Sequence, residues 1–286
     1  MKPEKKSMSP TNSGFITVND RQIYWEYYGQ KQREAVCLLN GLAMSTESWQ
    51  PFLPLVLDEY DVILYDYLGQ GRSSCEDESY FIPILSEHLS LILDALEINQ
   101  IHLMGISYGG FVALDFARLY QERLNTLTLS GILLTRETLF QMYQELSLRF
   151  YRCGTEGFDL YTHYMYEKIF GESFVTSASK HLEHMRENFH NRYKDRVHCL
   201  IRLTEAQNPF FERLDINLEG YRGIAIPTLI MVGAEDRVIL PAVQRKICGI
   251  LSDTRFDLIP DAGHVVYLEK SEAFFGKLKD FMRSRG

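Results

Sequence analysis

Ile101-His102-Leu103-Met104-Gly105-Ile106-Ser107-Tyr108-Gly109-Gly110-Phe111-Val112-Ala113-Leu114-Asp115-Phe116-Ala117 is the stretch that decides the architecture of this chain. Its apolar start, residues 101–103, reads as a buried strand. Residues 110–117 read as an amphipathic helix. Gly105-x-Ser107-x-Gly109 lies between them, which is the pattern of a nucleophile elbow. So sharp a turn forces Ser107 toward strained backbone angles and lifts its hydroxyl to where a substrate can reach it. Glycine at 105 and 109 removes side chains that would collide across the turn.

A serine hydroxyl is a weak nucleophile until a base takes its proton, and the base must be oriented in turn. Both groups are available downstream. Residues 228–232 read as a buried strand running into Gly233-Ala234-Glu235-Asp236. Residues 255–259 read as a short strand leading to Pro260-Asp261-Ala262-Gly263-His264. Asp236 and His264 each fall just past the C-terminal end of a strand, where open parallel sheets bind ligands. Their order along the chain is Ser, Asp, His.

These features identify a resemblance to the α/β-hydrolase superfamily, and within it to small capped esterase- and lipase-like members, over residues 14–281. Asp66-x-x-Gly69-x-Gly71-x-Ser73 after a strand at residues 62–65 matches a further signature of the same family, and it reads as structural. The resemblance implies that Ser107 is the nucleophile, His264 the general base and Asp236 the acid that fixes the imidazole tautomer. The family's Gly-x-x-Asp spacing from Gly233 favours Asp236 over Glu235. Two backbone N–H groups, of Tyr108 and Leu42, are expected to form the oxyanion hole. Asn40-Gly41 stands where the family commonly has His-Gly, and is similar to 3-hydroxyacyl acyltransferases of the same fold. Ser107-Tyr108-Gly109-Gly110 is similar instead to many esterases. The expected activity is a serine hydrolase cleaving carboxylic esters through an acyl-serine. The alternatives are an acyltransferase drawing on a thioester and a non-catalytic small-molecule receptor.

Composition narrows the classes further. The formal net charge is −8, with no basic patch interleaved with aromatics, which argues against nucleic acid as a partner. No apolar run reaches the ~18 residues of a membrane span. Five cysteines (Cys37, Cys75, Cys153, Cys199 and Cys248) are scattered and odd in number, and Cys37 and Cys248 read as buried thiols. That usage suggests a reducing, cytoplasmic setting. Residues 1–13 read as a polar disordered tail without the apolar core of a secretory signal. His181 and His184 lie one helical turn apart, but nothing completes a ligand set, so no metal or other cofactor is expected. His88 and His102 read as surface or hydrogen-bonded histidines. The partner is a small-molecule ester, and oligomeric state is left open.

Strands alternating with helices predict a mainly parallel central sheet with helices on both faces. A hairpin at residues 15–28 turns at Asn19-Asp20. Buried strands follow at 35–39 and 62–65, and another at 124–130. Helices are expected at 49–57, 85–96 and 271–283. From 136 to 223 the strand pattern stops and an aromatic-rich, helical period takes over. The resemblance implies a helical cap here, inserted into an α/β-hydrolase core made of residues 14–135 and 224–286.

Overall fold

The computed structural model describes residues 8–75 and 78–285. Eight strands form one sheet: β1 (Asn12–Val18), β2 (Arg21–Tyr28), β3 (Ala35–Leu39), β4 (Asp61–Tyr65), β5 (Ile101–Ile106), β6 (Leu124–Ser130), β7 (Thr228–Gly233) and β8 (Thr254–Ile259). Their spatial order is β1-β2-β4-β3-β5-β6-β7-β8. β2 pairs antiparallel with β1 and β4, and every other pairing is parallel.

Period-two alternation sorts the strand side chains into two cores. Val36, Leu38, Val62, Leu64, Met104, Leu229 and Met231 pack on one face with Phe274, Phe275 and Leu278 of α12 (Ser271–Arg283). Cys37, Leu39, Ile63, Leu103, Leu127 and Ile230 point the other way. They meet α1 (Ile82–Ala95) and α2 (Tyr108–Leu119) through residues such as Leu89 and Val112. Strands buried on both faces read as unbroken apolar runs, which is why they were visible in the sequence.

Between β6 and β7 the chain builds helices only: α3 (Thr138–Arg152), α4 (Gly154–Ile169), α5 (Glu172–Ser177), α6 (Ser179–Tyr193), α7 (Val197–Glu205), α8 (Asn208–Glu212) and α9 (Leu214–Arg222). Short α10 (Pro241–Arg245) and α11 (Val266–Glu269) follow β7 and β8. No helix among the described residues is long and apolar enough to cross a membrane.

Several expectations need correction. Residues 49–57 do not form one helix but the end of one 3₁₀ turn (Thr46–Trp49) and a second (Leu53–Leu55). Pro51 and Pro54 lack the N–H groups that an i→i−4 ladder would use. The first helix begins three residues early, at Ile82, with proline tolerated in its first turn. The expected tail is shorter: Thr11 N–H donates to Tyr27 O at 2.8 Å, and Asn12 and Ser13 pair with Tyr27 and Glu26. Residues 1–7 lie outside the described residues.

The cysteine reading is also overturned, because Cys75 and Cys199 form a disulfide across 124 residues, with Cα atoms 5.9 Å apart. It joins the segment after Ser73 to α7, so the argument from cysteine usage to a reducing compartment falls. Cys37 is buried as expected, but Cys248 is only partly buried. Cross-linking so long a loop restricts the unfolded chain and typically contributes ~2–4 kcal/mol. Cys75→Ser should therefore lower Tm by on the order of 10 °C. The reductant sensitivity of the native protein in a thermal melt should vanish in that variant. A Tm unchanged by both treatments would show that the bond does not form in solution.

Candidate active site

β3 and β5 are neighbours, with Leu39 in register with Gly105, while β4 lies on the other side of β3. This is the point where strand order reverses, and the loops leaving β3 and β5 must part above a crevice. Gly41-Leu42 leaves β3 and Ser107 leaves β5 at that point. β7 and β8 pair with Gly233 opposite Ile259, so the loops to Asp236 and His264 also start side by side.

Ser107 has φ 49° and ψ −118°, a conformation that costs a non-glycine residue ~1–3 kcal/mol. Its N–H is held by Ser130 O at 2.8 Å, and its carbonyl accepts from Gly110 N at 2.8 Å. A Cβ at Gly109 would lie 2.7 Å from the carbonyl oxygens of Leu39 and Asn40, and one at Gly105 would meet Ala113 Cβ at 2.8 Å. Glycine at both positions is therefore a condition of the turn.

The three predicted side chains meet. Ser107 Oγ lies 2.9 Å from His264 Nε2, and His264 Nδ1 lies 2.9 Å from Asp236 Oδ2. Asp236 is 2% exposed and His264 7%. The carboxylate accepts only, so the imidazole proton belongs on Nδ1, leaving the Nε2 lone pair to accept the Ser107 hydroxyl. Asp236 is saturated with donors. Its Oδ1 accepts from Val238 N and Ile239 N, each at 2.9 Å, and its Oδ2 also accepts from Gln244 Nε2 at 2.8 Å.

Leu42 and Tyr108 line the same cavity as Ser107 and His264, a space of about 670 Å³. Tyr108 is the first residue of α2, where backbone N–H groups have no partner within the helix. Asn40, where the sequence departs from the commoner pattern, is spent on structure. Its Nδ2 donates to Tyr65 O at 2.9 Å, and its Oδ1 accepts from Trp49 Nε1 at 2.7 Å. Gln70 Nε2 donates to Gly41 O at 2.9 Å, fixing the loop from behind. The glycine-rich signature is structural too: Asp66 accepts from Thr46 N and Arg72 N, and burial raises its carboxyl to about 6.

The competing residues lie elsewhere. Glu235 Oε2 accepts from Glu172 N at 2.7 Å, at the start of α5. Asp261 is exposed and faces Lys270. Among the described residues the histidines of the helical segment form no metal-ligand group of their own: neither His181, which lines the cavity, nor His184 belongs to a group with ligand spacing, His163 contacts Arg186, His190 faces Asp159, and His198 lies beside Cys75 and Cys199. Those last three residues form a group with metal-ligand spacing, but its two sulfurs are bonded to each other. His102 is buried and hydrogen-bonded to Thr126. His88 is neither on the surface nor satisfied: its Nδ1 is buried without a partner among the described residues, and burial lowers its pKa to about 4.

Sequence reasoning missed three supporting residues. Gln244 is fully buried and bridges Asp236 Oδ2 to Gly131 N, which donates to Gln244 Oε1 at 2.9 Å. Gly131, at φ 66°, lies where a Cβ would stand 2.7 Å from the His264 ring. Glu269 accepts from Gly171 N at 2.9 Å and Gly263 N at 3.0 Å, tying the helical segment to the loop that carries His264. His264 N itself donates to Ile169 O at 2.7 Å. A glutamine on a five-residue helix and a glutamate beyond the histidine carry no motif that would have drawn attention to them.

A family model described as the alpha/beta hydrolase fold matches residues 34–271. The chain is 25% identical to 3-oxoadipate enol-lactonase 2 of Acinetobacter baylyi over 260 residues, which cover 91% of this chain and 92% of that protein. It is 26% identical to 2-hydroxy-6-oxo-6-phenylhexa-2,4-dienoate hydrolase of Burkholderia cepacia over 299 residues, covering 95% and 96%. Among solved structures it superposes with a TM-score of 0.84 and 27% identity on MGS-M2, an alpha/beta hydrolase enzyme from a Medee basin deep-sea metagenome library, covering 94% and 96%.

Proposed function

The chain belongs to the α/β-hydrolase fold family, and from that premise we propose that it is a hydrolase cleaving a carboxylic ester through an acyl-serine intermediate. The observation that carries this reading is the continuous hydrogen-bonded path from Ser107 Oγ through the imidazole to Asp236. Ser107 Oγ attacks the ester carbonyl while His264 Nε2 takes its proton. The N–H groups of Leu42 and Tyr108 hold the oxygen that becomes negative. The tetrahedral species collapses, the C–O bond breaks, and His264 returns the proton to the departing alkoxide. Water then enters, loses a proton to His264 and attacks the acyl carbon, releasing the acid and restoring Ser107.

In this reading residues 136–223 act as a cap on a core of residues 14–135 and 224–286. The insertion lines much of the cavity, where limiting access of water would strengthen the charge interactions within. The relative named as an enol-lactonase acts, by that name, on a cyclic ester, which agrees with attack on an ester carbonyl.

The acyltransferase alternative rested on Asn40-Gly41. Asn40 is engaged by Tyr65 and Trp49, so its side chain serves the loop, and hydrolysis and transfer are told apart by the product formed. Two measurements test the proposal together. A fluorophosphonate probe should label Ser107, and a p-nitrophenyl ester should yield free acid. A folded protein that resists the probe would be a receptor, and an acyl thioester converted to a new ester or thioester would make it a transferase.

A further inference from the structure

The buried stripe of α3 runs Phe140, Gln144, Ser147 and Tyr151, spaced as one face of a helix. Phe140, Gln144 and Ser147 also line the cavity over Ser107, with Phe111, Tyr143, Tyr161 and Met165 nearby. Ser147 satisfies itself by donating to Tyr143 O at 2.8 Å. Gln144 does not: it is 8% exposed, and its Nε2 is buried with no hydrogen-bond partner among the described residues. A leucine would fill this place among aromatic rings without leaving a polar group unpaired. An amide kept there unpartnered is available to whatever enters the cavity.

We infer that Gln144 is a specificity-determining residue that donates a hydrogen bond to a second, neutral carbonyl oxygen carried within an otherwise apolar arm of the ester. This rests on the ester-cleavage reading above and narrows it to a substrate class. Charge decides between a carbonyl and a carboxylate. On the cavity wall Glu47, His181 and Arg192 are exposed, and the buried His264 is already engaged by Asp236 and Ser107. An anionic group beside Gln144 would be desolvated without a buried cation to pair with, which is costly. A ketone or amide oxygen needs only the N–H. The cavity, at about 670 Å³, has room for such an arm along with the reacting ester.

The test uses matched esters differing only by C=O in place of CH₂, with the carbonyl moved stepwise along the acyl chain of one series and the alcohol chain of another. The native protein should favour one keto position over its methylene partner by roughly 10–100-fold in kcat/KM, chiefly through KM. Gln144→Leu should erase that preference, so that the keto and methylene partners are turned over with equal kcat/KM. Its Tm should not fall, because no bond within the protein is lost, whereas a structural role for the amide would cost stability. Ser107→Ala, alone and combined with Gln144→Leu, gives a readout free of turnover: dissociation constants for the same pairs by calorimetry. Equal affinity of the Ser107→Ala protein for keto and methylene partners at every position overturns the inference. So does a preference that survives Gln144→Leu. Failure of the ester reading is a different result: no member of either series is hydrolysed and Ser107 resists the fluorophosphonate.

Discussion

Ser107→Ala is expected to lower kcat for ester hydrolysis by about 10⁶, the loss seen when the nucleophile of a serine triad is removed. The variant keeps the cavity, the Leu42 and Tyr108 amides and the imidazole, so what it loses is the covalent step. Misfolding does not account for such a loss. The backbone at 107 is held by Ser130 O and Gly110 N, neither of which needs the hydroxyl, and the Oγ hydrogen bond runs to His264 alone among the described residues. Alanine inherits the same φ of 49°, so the strain is unchanged as well. Far-UV circular dichroism and Tm should therefore match the native protein while steady-state turnover sinks toward background. Turnover within tenfold of native would remove Ser107 from the chemistry and return the site to a binding role.

What the sequence revealed and what it hid follow from the range of the interactions. The elbow was legible because its demands are local: a strand, two glycines where a Cβ would strike backbone, and a helix, all within twenty residues. Asp236 was legible because it leaves a buried strand whose apolar run marks its end, and His264 because Gly263-His264 follows a short strand that ends in buried Ile259. The core strands were legible because burial on both faces makes their side chains mostly apolar, with the few polar ones, such as His102 and Thr126, hydrogen-bonded to each other. Pairings across the fold leave no such trace. Cys75 and Cys199 lie 124 residues apart and carry no spacing signal. Gln244 reaches Gly131 across 113 residues, and only the sheet brings β6 beside β7. The 3₁₀ turns near Trp49 were misread for a different reason: the apolar period there was real, but Pro51 and Pro54 outweighed it.

The tight bonding around Asp236 makes Asp236→Asn the next most severe change, with an expected fall in kcat of about 10⁴. The amide is nearly isosteric, so the argument turns on which of its ends faces the histidine. At the Oδ1 position two backbone N–H groups, of Val238 and Ile239, require an acceptor. The asparagine oxygen must therefore sit there, which sends its NH₂ to the Oδ2 position facing His264 Nδ1. That NH₂ can only donate, so Nδ1 becomes the acceptor and the imidazole proton moves to Nε2. The Ser107 hydroxyl then faces an N–H in place of a lone pair, and its proton has nowhere to go. Gln244 sharpens the conflict. Its Nε2 also points at the Oδ2 position, and turning its amide over would set NH₂ against Gly131 N–H. Asp236→Asn should thus bind substrate with KM little changed and show the whole loss in kcat. If kcat stayed within tenfold of native, Asp236 would not be orienting the histidine. Glu235 could not take its place without leaving Glu172 N, which it holds at 2.7 Å.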